Sequence, residues 1–422
     1  MDWTGERLSA RCLPTPPSPG FHTDVSSWPH IYIHVPFCGR RCSYCDFAIA
    51  VRREVPVSEF VDALLAEITA RGIESFGSPI KSIYLGGGTP SKLGGEGVAR
   101  LIHKIAQFAD VDKFSTSVDQ TEITVEANPE DVSEEAAGRW VAAGVNRVSL
   151  GVQSFDPGVL EWMHRGHGPE RAAEAVAILR AAGVQEVSAD LIFSVPETLN
   201  RSWTEDLNRV LELDVDHLSL YGLTVESQTP LGRWTARGEV AESPEERYES
   251  EFLESHERLR ATGYEHYEVS SYARPGRRAR HNSAYWSGAK YLGLGPSAHG
   301  FDGAQRRWNV PAYAEWLRRV QAGQDPVEGS EVVGGAAAGA AAGATDGATD
   351  GTQNDQAAAQ SAAAERIYLG LRTLDGLELT EAELPLVGPW VQMGWAKLLG
   401  PRRLVLTARG WLRLDSLAMQ LL

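Results

Sequence analysis

Residues 34–47 read HVPFCGRRCSYCDF, and this stretch places three of the four cysteines, Cys38, Cys42 and Cys45, within eight residues. Thiolates are the ligands that iron-sulfur clusters select, and each thiolate of a C-x3-C-x2-C spacing can hold one iron of a 4Fe-4S cube. Three sulfurs leave the fourth iron open to a small chelating ligand. The spacing therefore predicts a three-cysteine cluster loop with one exchangeable iron.

A structural zinc site and three unrelated thiols are the alternatives for this loop. Structural zinc is held by four ligands in a closed tetrahedron. The only further cysteine, Cys12, lies in a proline-rich leader, residues 1–29. A cluster therefore accounts for the cysteines better than zinc does.

Composition and charge exclude several classes of protein. The chain carries 56 acidic and 40 basic residues, a formal net charge of -16, which disfavours nucleic-acid binding through a general basic surface. Clustered cysteines indicate a reducing compartment, so we expect a cytoplasmic protein. No apolar run approaches the roughly 18 residues of a membrane-spanning helix, so any membrane contact is expected to be peripheral.

Apolar strands alternate with amphipathic helices through the first half of the chain. Such alternation is typical of a parallel sheet in an α/β fold. We predict a partial (β/α)6 barrel, and periodicity leaves a flat doubly wound sheet open as the alternative. The predicted strands are Ile31–Val35, Ile80–Leu85, Glu122–Ala127, Arg147–Val152, Glu186–Phe193 and His217–Gly222.

Changes in composition divide the rest of the chain. Residues 334–363 are almost wholly Ala, Gly, Thr, Asp and Gln, which predicts a flexible insert. The residues after the insert predict a small α+β accessory domain with a lid or docking role. The predicted divisions are a flexible leader 1–29, the partial barrel 30–232, a barrel extension 233–325, a low-complexity linker 326–364 and the C-terminal accessory domain 365–422.

Glycines and polar residues lie at the ends of several predicted strands. In a parallel barrel, ligand-binding groups collect at the carboxyl ends of the strands. Residues 86–90, GGGTP, offer bare backbone there, and Glu126 offers an acceptor for an ammonium group. Gln153 ends the fourth strand, Asp190 suits ribose hydroxyls, and Arg165 suits a carboxylate. Together these residues predict a ligand that combines an amino acid with a nucleoside, beside the cluster.

The chain resembles the oxygen-independent coproporphyrinogen oxidase branch of the radical S-adenosylmethionine (SAM) superfamily. The resemblance rests on HVPFCGRRCSYCDF, GGGTPS, EANPE, NRVSLGVQSF and YLGLGPSAHG, and it covers roughly residues 31–309. It implies that Cys38, Cys42 and Cys45 hold a 4Fe-4S cluster whose open iron binds SAM. It also implies SAM contacts from Tyr32, Tyr44, Gly87, Gly88, Thr89, Glu126, Gln153, Arg165 and Asp190. Residues 193–197, FSVPE, depart from the glycine-flanked Leu-Pro of the branch, which leaves the loop after the fifth strand open.

Residues 281–286, HNSAYW, separate two relatives within that branch. They match the HNxxYW motif of the HemW-type haem chaperones. The oxidases carry a further cysteine two positions after the cluster triplet, where this chain has Phe47. They also carry a long N-terminal arm, and we expect no such arm here because only about thirty residues precede the first predicted strand. The resemblance thus implies a haem chaperone with His281, Tyr285 and Trp286 at the haem site.

The chemistry of the motif suits haem. A neutral imidazole at His281 can ligate iron, and Tyr285 and Trp286 offer broad faces to a macrocycle. The residues alone leave open a hydrogen-bonded structural histidine beside a solvated basic loop. Four arginines just upstream could pair with haem propionates, namely Arg274, Arg277, Arg278 and Arg280.

Two functions from different classes follow from the resemblance. In the first, a chaperone binds haem and a SAM-ligated 4Fe-4S cluster, receives electrons from a donor and passes haem to an acceptor apo-haemoprotein. In the second, a radical enzyme cleaves SAM reductively and decarboxylates coproporphyrinogen to protoporphyrinogen IX. Phe47 disfavours the second. An iron-sulfur protein that has lost its chemistry is a third possibility.

Overall fold

The computed structural model of the chain describes residues 27–77, 79–108, 120–333 and 351–422, and for residues 351–359 it describes the backbone only. Cys12 and most of the predicted leader lie outside the described residues. So does the central part of the low-complexity segment.

Six parallel strands form the centre of the fold. The first half of the chain contains β1 His30–Val35, β2 Phe37–Cys38, β3 Ala50–Val51, α1 Val57–Ala70, β4 Ser82–Gly87, α2 Gly94–Ile105, β5 Glu122–Ala127, α3 Glu134–Ala142, β6 Arg147–Gln153, α4 Pro157–Trp162, α5 Arg171–Ala182, β7 Glu186–Phe193, α6 Trp203–Glu212 and β8 His217–Gly222. The central strands pair in the order β1, β4, β5, β6, β7, β8, all parallel. The predicted α/β alternation is confirmed.

The sheet is curled. Gly87 of β4, Glu126 of β5, Asp190 of β7 and Tyr221 of β8 line a single cavity. In a flat sheet, four strand spacings of about 4.8 Å would hold β4 and β8 roughly 19 Å apart. The five strands from β4 to β8 therefore wrap around their ligand face, which is the partial-barrel alternative.

Strands and helices of the barrel bury the apolar positions that predicted them. Ile31 and Ile33 of β1 are fully buried, as strands covered on both faces require. Helix α1 buries Phe60, Leu64 and Ile68 at helical spacing. Among the described helices, none is long and apolar enough to cross a membrane.

The second part of the chain widens the sheet on both sides. It contains α7 Pro230–Ala236, α8 Glu245–Ala261, β9 Glu265–Glu268, β10 Ser271–Ala273, α9 Arg280–Trp286, β11 Tyr291–Leu294, β12 His299–Phe301, β13 Gln305–Asn309, α10 Tyr313–Gln321 and β14 Val327–Val332. Strand β10 pairs antiparallel with β8, and β11 pairs parallel with β1. Strands β12, β13 and β14 continue the sheet beyond β11. The strands after α9 were not predicted, because the glycines in this segment interrupt the apolar pattern.

The last part of the chain is a small unit around a three-stranded sheet. It contains α11 Gly351–Arg372, β15 Leu377–Glu378, α12 Gly388–Gln392, β16 Ala396–Leu399, β17 Arg403–Leu406, α13 Ala408–Trp411 and α14 Leu414–Ala418. The predicted linker 326–364 is wrong at both ends, because Val327–Val332 is a strand of the large sheet and residues 351–364 are helical. Residues 334–350 lie outside the described residues.

A buried carboxylate joins the barrel to its extension. Glu67 of α1 is fully buried and accepts hydrogen bonds from the Gly295 backbone N–H at 2.8 Å, Asn309 Nδ2 at 2.7 Å and Trp316 Nε1 at 2.9 Å. Arg71 Nη1 lies 3.4 Å from the same carboxylate. Burial raises the pKa of Glu67 while these donors oppose the rise. The carboxylate therefore ties α1, β13, α10 and the β11–β12 turn together.

Replacing Glu67 by alanine is expected to lower the free energy of unfolding by about 3–5 kcal/mol, because Arg71 and three buried donors lose their acceptor. Urea denaturation followed by circular dichroism measures the change. The matched control is Glu96→Ala, since Glu96 is exposed and pairs with Arg139 on the surface; a change below about 1 kcal/mol is expected there. Equal midpoints for the two variants would contradict the assignment.

Candidate functional site

The carboxyl ends of the barrel strands surround a cavity of about 590 Å3, which we call the first cavity. Its size falls in the range of small-molecule sites. Cys38, Cys42 and Cys45 all line it, beside the glycine run that follows β4. The structure thus brings the predicted cluster loop and the predicted ligand site together.

The cluster loop is held at both ends and at its centre. Strands β2 and β3 pair in parallel, with Phe37 opposite Ala50 and Cys38 opposite Val51, so they hold the loop between them. At the centre, the buried Ser43 donates its N–H to the Met163 carbonyl and accepts from the Leu231 N–H. These contacts hold the backbone of the loop in place and do not involve the sulfur atoms of the cysteines.

The environment of the thiols suits a cluster rather than zinc. All three are free; Cys38 Sγ lies 3.3 Å from Thr89 Oγ1, and Arg165 Nη1 lies 3.6 Å from Cys42 Sγ. Within the described ranges, no three His, Cys, Asp or Glu side chains converge closely enough to hold one metal ion. Three sulfurs that each bind a different iron of a cube stand farther apart than the ligands of one ion. The sulfurs, the hydroxyl and the guanidinium fit the anionic cluster that the cysteine spacing predicts.

The glycines at the end of β4 are required because residues that lead into the cluster loop lie very close to them. A Cβ on Gly87, whose φ is +108°, would lie 2.5 Å from the His34 ring. A Cβ on Gly88 would lie 2.7 Å from the carbonyl group of Pro36. Only glycine allows β4 to end against the residues that open the cluster loop.

Two half-buried carboxylates line the first cavity. Glu126 accepts from Tyr84 Oη at 2.7 Å and from the Gly87 N–H at 3.0 Å, and burial raises its pKa to about 7. Ser149 Oγ lies 3.0 Å from Asp190 Oδ1, and burial raises the pKa of Asp190 to about 6. Each carboxylate keeps acceptor capacity for amino or hydroxyl groups of a ligand.

Arg165 and Gln153 line the same cavity. Arg165 Nη2 donates to Asn128 Oδ1 at 2.6 Å and to the Gly151 carbonyl at 2.7 Å, which fixes the guanidinium. Its Nε is buried without a partner among the described residues. Gln153 has a φ of +69° at a bulge between β6 and β7, a strained conformation that turns the chain at the rim of the cavity.

The structure gathers eight of the nine residues predicted to contact SAM. The first cavity is lined by Tyr44, Gly87, Gly88, Thr89, Glu126, Gln153, Arg165 and Asp190. Tyr32 does not line it and instead lines the neighbouring cavity described below. Sequence reasoning missed Asn128, Ser149 and Tyr221, which also line the first cavity. Their position in or just after predicted strands was the available signal.

A second cavity of about 650 Å3 adjoins the first. The two share Asp46, Phe47, Gly87 and Glu126, so the end of the cluster loop separates them. Aromatic side chains dominate the wall of the second cavity, and they comprise Tyr32, Phe47, Tyr285, Trp286, Tyr291 and Phe301. Such a wall suits a broad, flat, apolar ligand.

The three residues of the predicted haem motif have different positions. Tyr285 and Trp286 line the second cavity, and His281 lies behind Tyr285, nearly fully buried. His281 Nε2 is 2.8 Å from Tyr285 Oη, and its Nδ1 is 2.7 Å from Ser82 Oγ. Burial lowers the pKa of His281 to about 3, so the ring is neutral and both nitrogens are engaged. In this conformation His281 positions Tyr285.

The four arginines upstream of the motif face carboxylates and line neither cavity. Arg274 pairs with Asp214 at 2.6 Å, and Arg278 pairs with Glu265 at 2.6 Å. The partners of the other two are Glu186 for Arg277, at 3.1 Å, and Glu122 for Arg280, at 3.8 Å. The expectation that these arginines meet haem propionates is therefore not met here.

Comparison with known proteins places this geometry in a family. Residues 32–210 match the model of the radical SAM superfamily. The heme chaperone HemW of Mycobacterium tuberculosis is 38% identical over 73% of this chain and 78% of that protein. The chain belongs to the HemW family. The HemW protein of Escherichia coli is 36% identical over 64% of this chain and 69% of that protein, and the HemW protein of Bacillus subtilis is 35% identical over 66% and 72%.

A solved structure shares the fold of this chain. The coproporphyrinogen III oxidase HemN of Escherichia coli, a radical SAM enzyme, superposes with a TM-score of 0.73 at 21% identity, covering 94% of this chain and 90% of that one. At this identity the likeness establishes the fold alone. Membership of the radical SAM superfamily implies a 4Fe-4S cluster and SAM, and the residues of the first cavity fit both.

Replacing Cys42 by alanine is expected to reduce the iron content of anaerobically reconstituted protein to background, because a cube held by two thiolates is not retained. Iron analysis and the sulfur-to-iron charge-transfer absorption measure the loss. Cys12→Ala is the matched control and should keep the wild-type iron content. Wild-type iron in Cys42→Ala would contradict the cluster assignment.

SAM affinity is expected to fall as the pH drops through about 7, because protonation of Glu126 removes an acceptor for the SAM amino group. Asp190 should add a second step near pH 6. Glu126→Gln should lose the upper step and bind SAM about tenfold more weakly at pH 8. Isothermal titration calorimetry of cluster-loaded protein measures the SAM affinity and its dependence on pH. Glu257→Gln, at an exposed position, is the control. An unchanged pH profile in Glu126→Gln would refute this role.

Proposed function

We propose that the protein is a haem chaperone, which binds haem in the second cavity, holds a SAM-ligated cluster in the first and passes haem to an acceptor apo-haemoprotein. The observation that carries the proposal is the aromatic second cavity beside the cluster loop, lined by Tyr285 and Trp286 of the HNxxYW motif. The relatives named heme chaperone support it.

Trp286, Tyr285 and His281 have different roles in the proposed haem site. Trp286 offers its ring to the macrocycle. The guanidinium carbon of Arg372, the last residue of α11, lies 4.5 Å from the centroid of that ring. Tyr285 is oriented through His281, which in turn hydrogen-bonds Ser82 at the start of β4. His281 thus serves the haem site as a positioning residue.

The residues of the first cavity hold the cofactors. Cys38, Cys42 and Cys45 hold the cluster, while Glu126, Asp190 and Arg165 orient SAM beside it. When bound, the cluster supplies an electron that a redox donor delivers. The exposed Phe47 stands between the two cavities, where the oxidases have their additional cysteine. A reducing cytoplasmic environment, no nucleic-acid partner and at most peripheral membrane contact complete the proposal.

Trp286→Ala is expected to weaken haem binding about tenfold while leaving iron and SAM binding unchanged, because a stacking face is lost only in the second cavity. Spectroscopic haem titration of the reconstituted protein measures the affinity. Trp286→Phe keeps a stacking face and should restore most of the affinity.

The same preparation tests the competing function. Incubation with coproporphyrinogen, SAM and a reductant should yield no protoporphyrinogen. Turnover without haem uptake would overturn the chaperone proposal in favour of the oxidase.

A further inference from the structure

Two histidines line the second cavity, and they differ in what their nitrogens contact. His34 is buried, with Nδ1 3.1 Å from Tyr32 Oη and Nε2 3.0 Å from the Ala48 carbonyl oxygen. His299 on β12 is exposed. In the described ranges of the chain, its ring takes part in no side-chain hydrogen bond. The ring nitrogens of His299 are therefore available to a ligand in this cavity, whereas those of His34 and His281 are engaged in hydrogen bonds.

An aromatic neighbour stacks on the ring of His299. Trp308, the residue opposite on β13, stacks on it with ring centroids 5.8 Å apart and planes inclined by 24°. Partial desolvation of the ring by the wall of the cavity, and then the charge of Arg306, lower the pKa of His299 below its ordinary value. The ring is thus neutral at pH 7, the form that ligates iron.

The wall around His299 suits a macrocycle. Phe301 lies two residues along the strand and so points to the same face of the sheet, and it also lines the cavity. Trp286 and Tyr291 add further aromatic surface. Arg306 is the only lysine or arginine among the lining residues in the described part of the chain.

We infer that His299 is the axial iron ligand of haem in the second cavity and that Arg306 faces a haem propionate. The inference deepens the proposed function and rests on it. Arg306 now pairs with Glu365 at 2.6 Å and Glu331 at 3.1 Å. A propionate therefore replaces one of these carboxylates, Glu365, which also lines the cavity. Haem entry thereby releases a contact between β13 and α11.

Haem titration of the full-length protein with ferric protoporphyrin IX, followed by Soret absorption and electron paramagnetic resonance, tests the inference. Wild-type protein should give a histidine-ligated spectrum. His299→Ala should lose that signature and regain it when free imidazole is added. His299→Met should give the altered spectrum of thioether ligation, a change that a merely structural role would not produce. The exposed His103→Ala serves as the control and should keep histidine ligation. His281→Ala shows whether the iron uses that histidine instead.

The outcomes separate this inference from the function on which it rests. If wild-type protein takes up no haem, the proposed function fails. If haem binds and His299→Ala and His299→Met keep the wild-type spectrum, the inference is overturned while haem binding stands. Loss of histidine ligation in His281→Ala, with His299→Ala unaffected, would assign the iron to His281 instead.

Discussion

The site depends on the close backbone approach between the ends of β1 and β4. Parallel pairing sets Val35 opposite Gly87. The absence of a Cβ leaves room for the His34 ring at Gly87 and for the Pro36 backbone at Gly88. Because β1 runs directly into the cluster loop, this contact sets the position of the three sulfurs relative to Glu126 and the rest of the barrel mouth. A bulkier residue at either glycine would separate the cluster loop from the cavity that the barrel provides.

The cavities adjoin because one short segment borders both of them. Asp46 and Phe47 follow the last cluster cysteine and line each cavity. A ligand in the second cavity therefore lies next to the residues that hold the cluster. In the proposed function, this adjacency places haem beside the cluster loop without requiring haem to enter the barrel mouth.

Periodicity predicted the barrel because its strands are short, apolar and separated by amphipathic helices. Strands Glu122–Ala127, Glu186–Phe193 and His217–Gly222 begin and end where the sequence places them. The cluster residues could be assigned from the spacing of the three cysteines. The SAM residues could be assigned from the resemblance to the radical SAM superfamily, and several of them lie at the ends of predicted strands. Strands β11 to β14 were missed because their glycines disrupt the apolar pattern, and because β11 joins the large sheet through β1, which lies far away in the sequence.

The environment of His281 was equally beyond local sequence reasoning. Its burial depends on Ser82, which lies 199 residues away in the chain, and only Tyr285, four residues on, is a local partner. His299 drew no prediction for a similar reason. It becomes a candidate ligand only when β12 joins the sheet and brings it to the same cavity as Trp286.

The central claim is that one chain holds a cluster and haem in adjoining cavities. Anomalous diffraction at the iron edge, from crystals of reconstituted protein bound to haem and SAM, tests it most directly. Two separate iron peaks are expected, one enclosed by Cys38, Cys42 and Cys45 and the other between Trp286 and Phe301. A haem iron located outside the second cavity would contradict it.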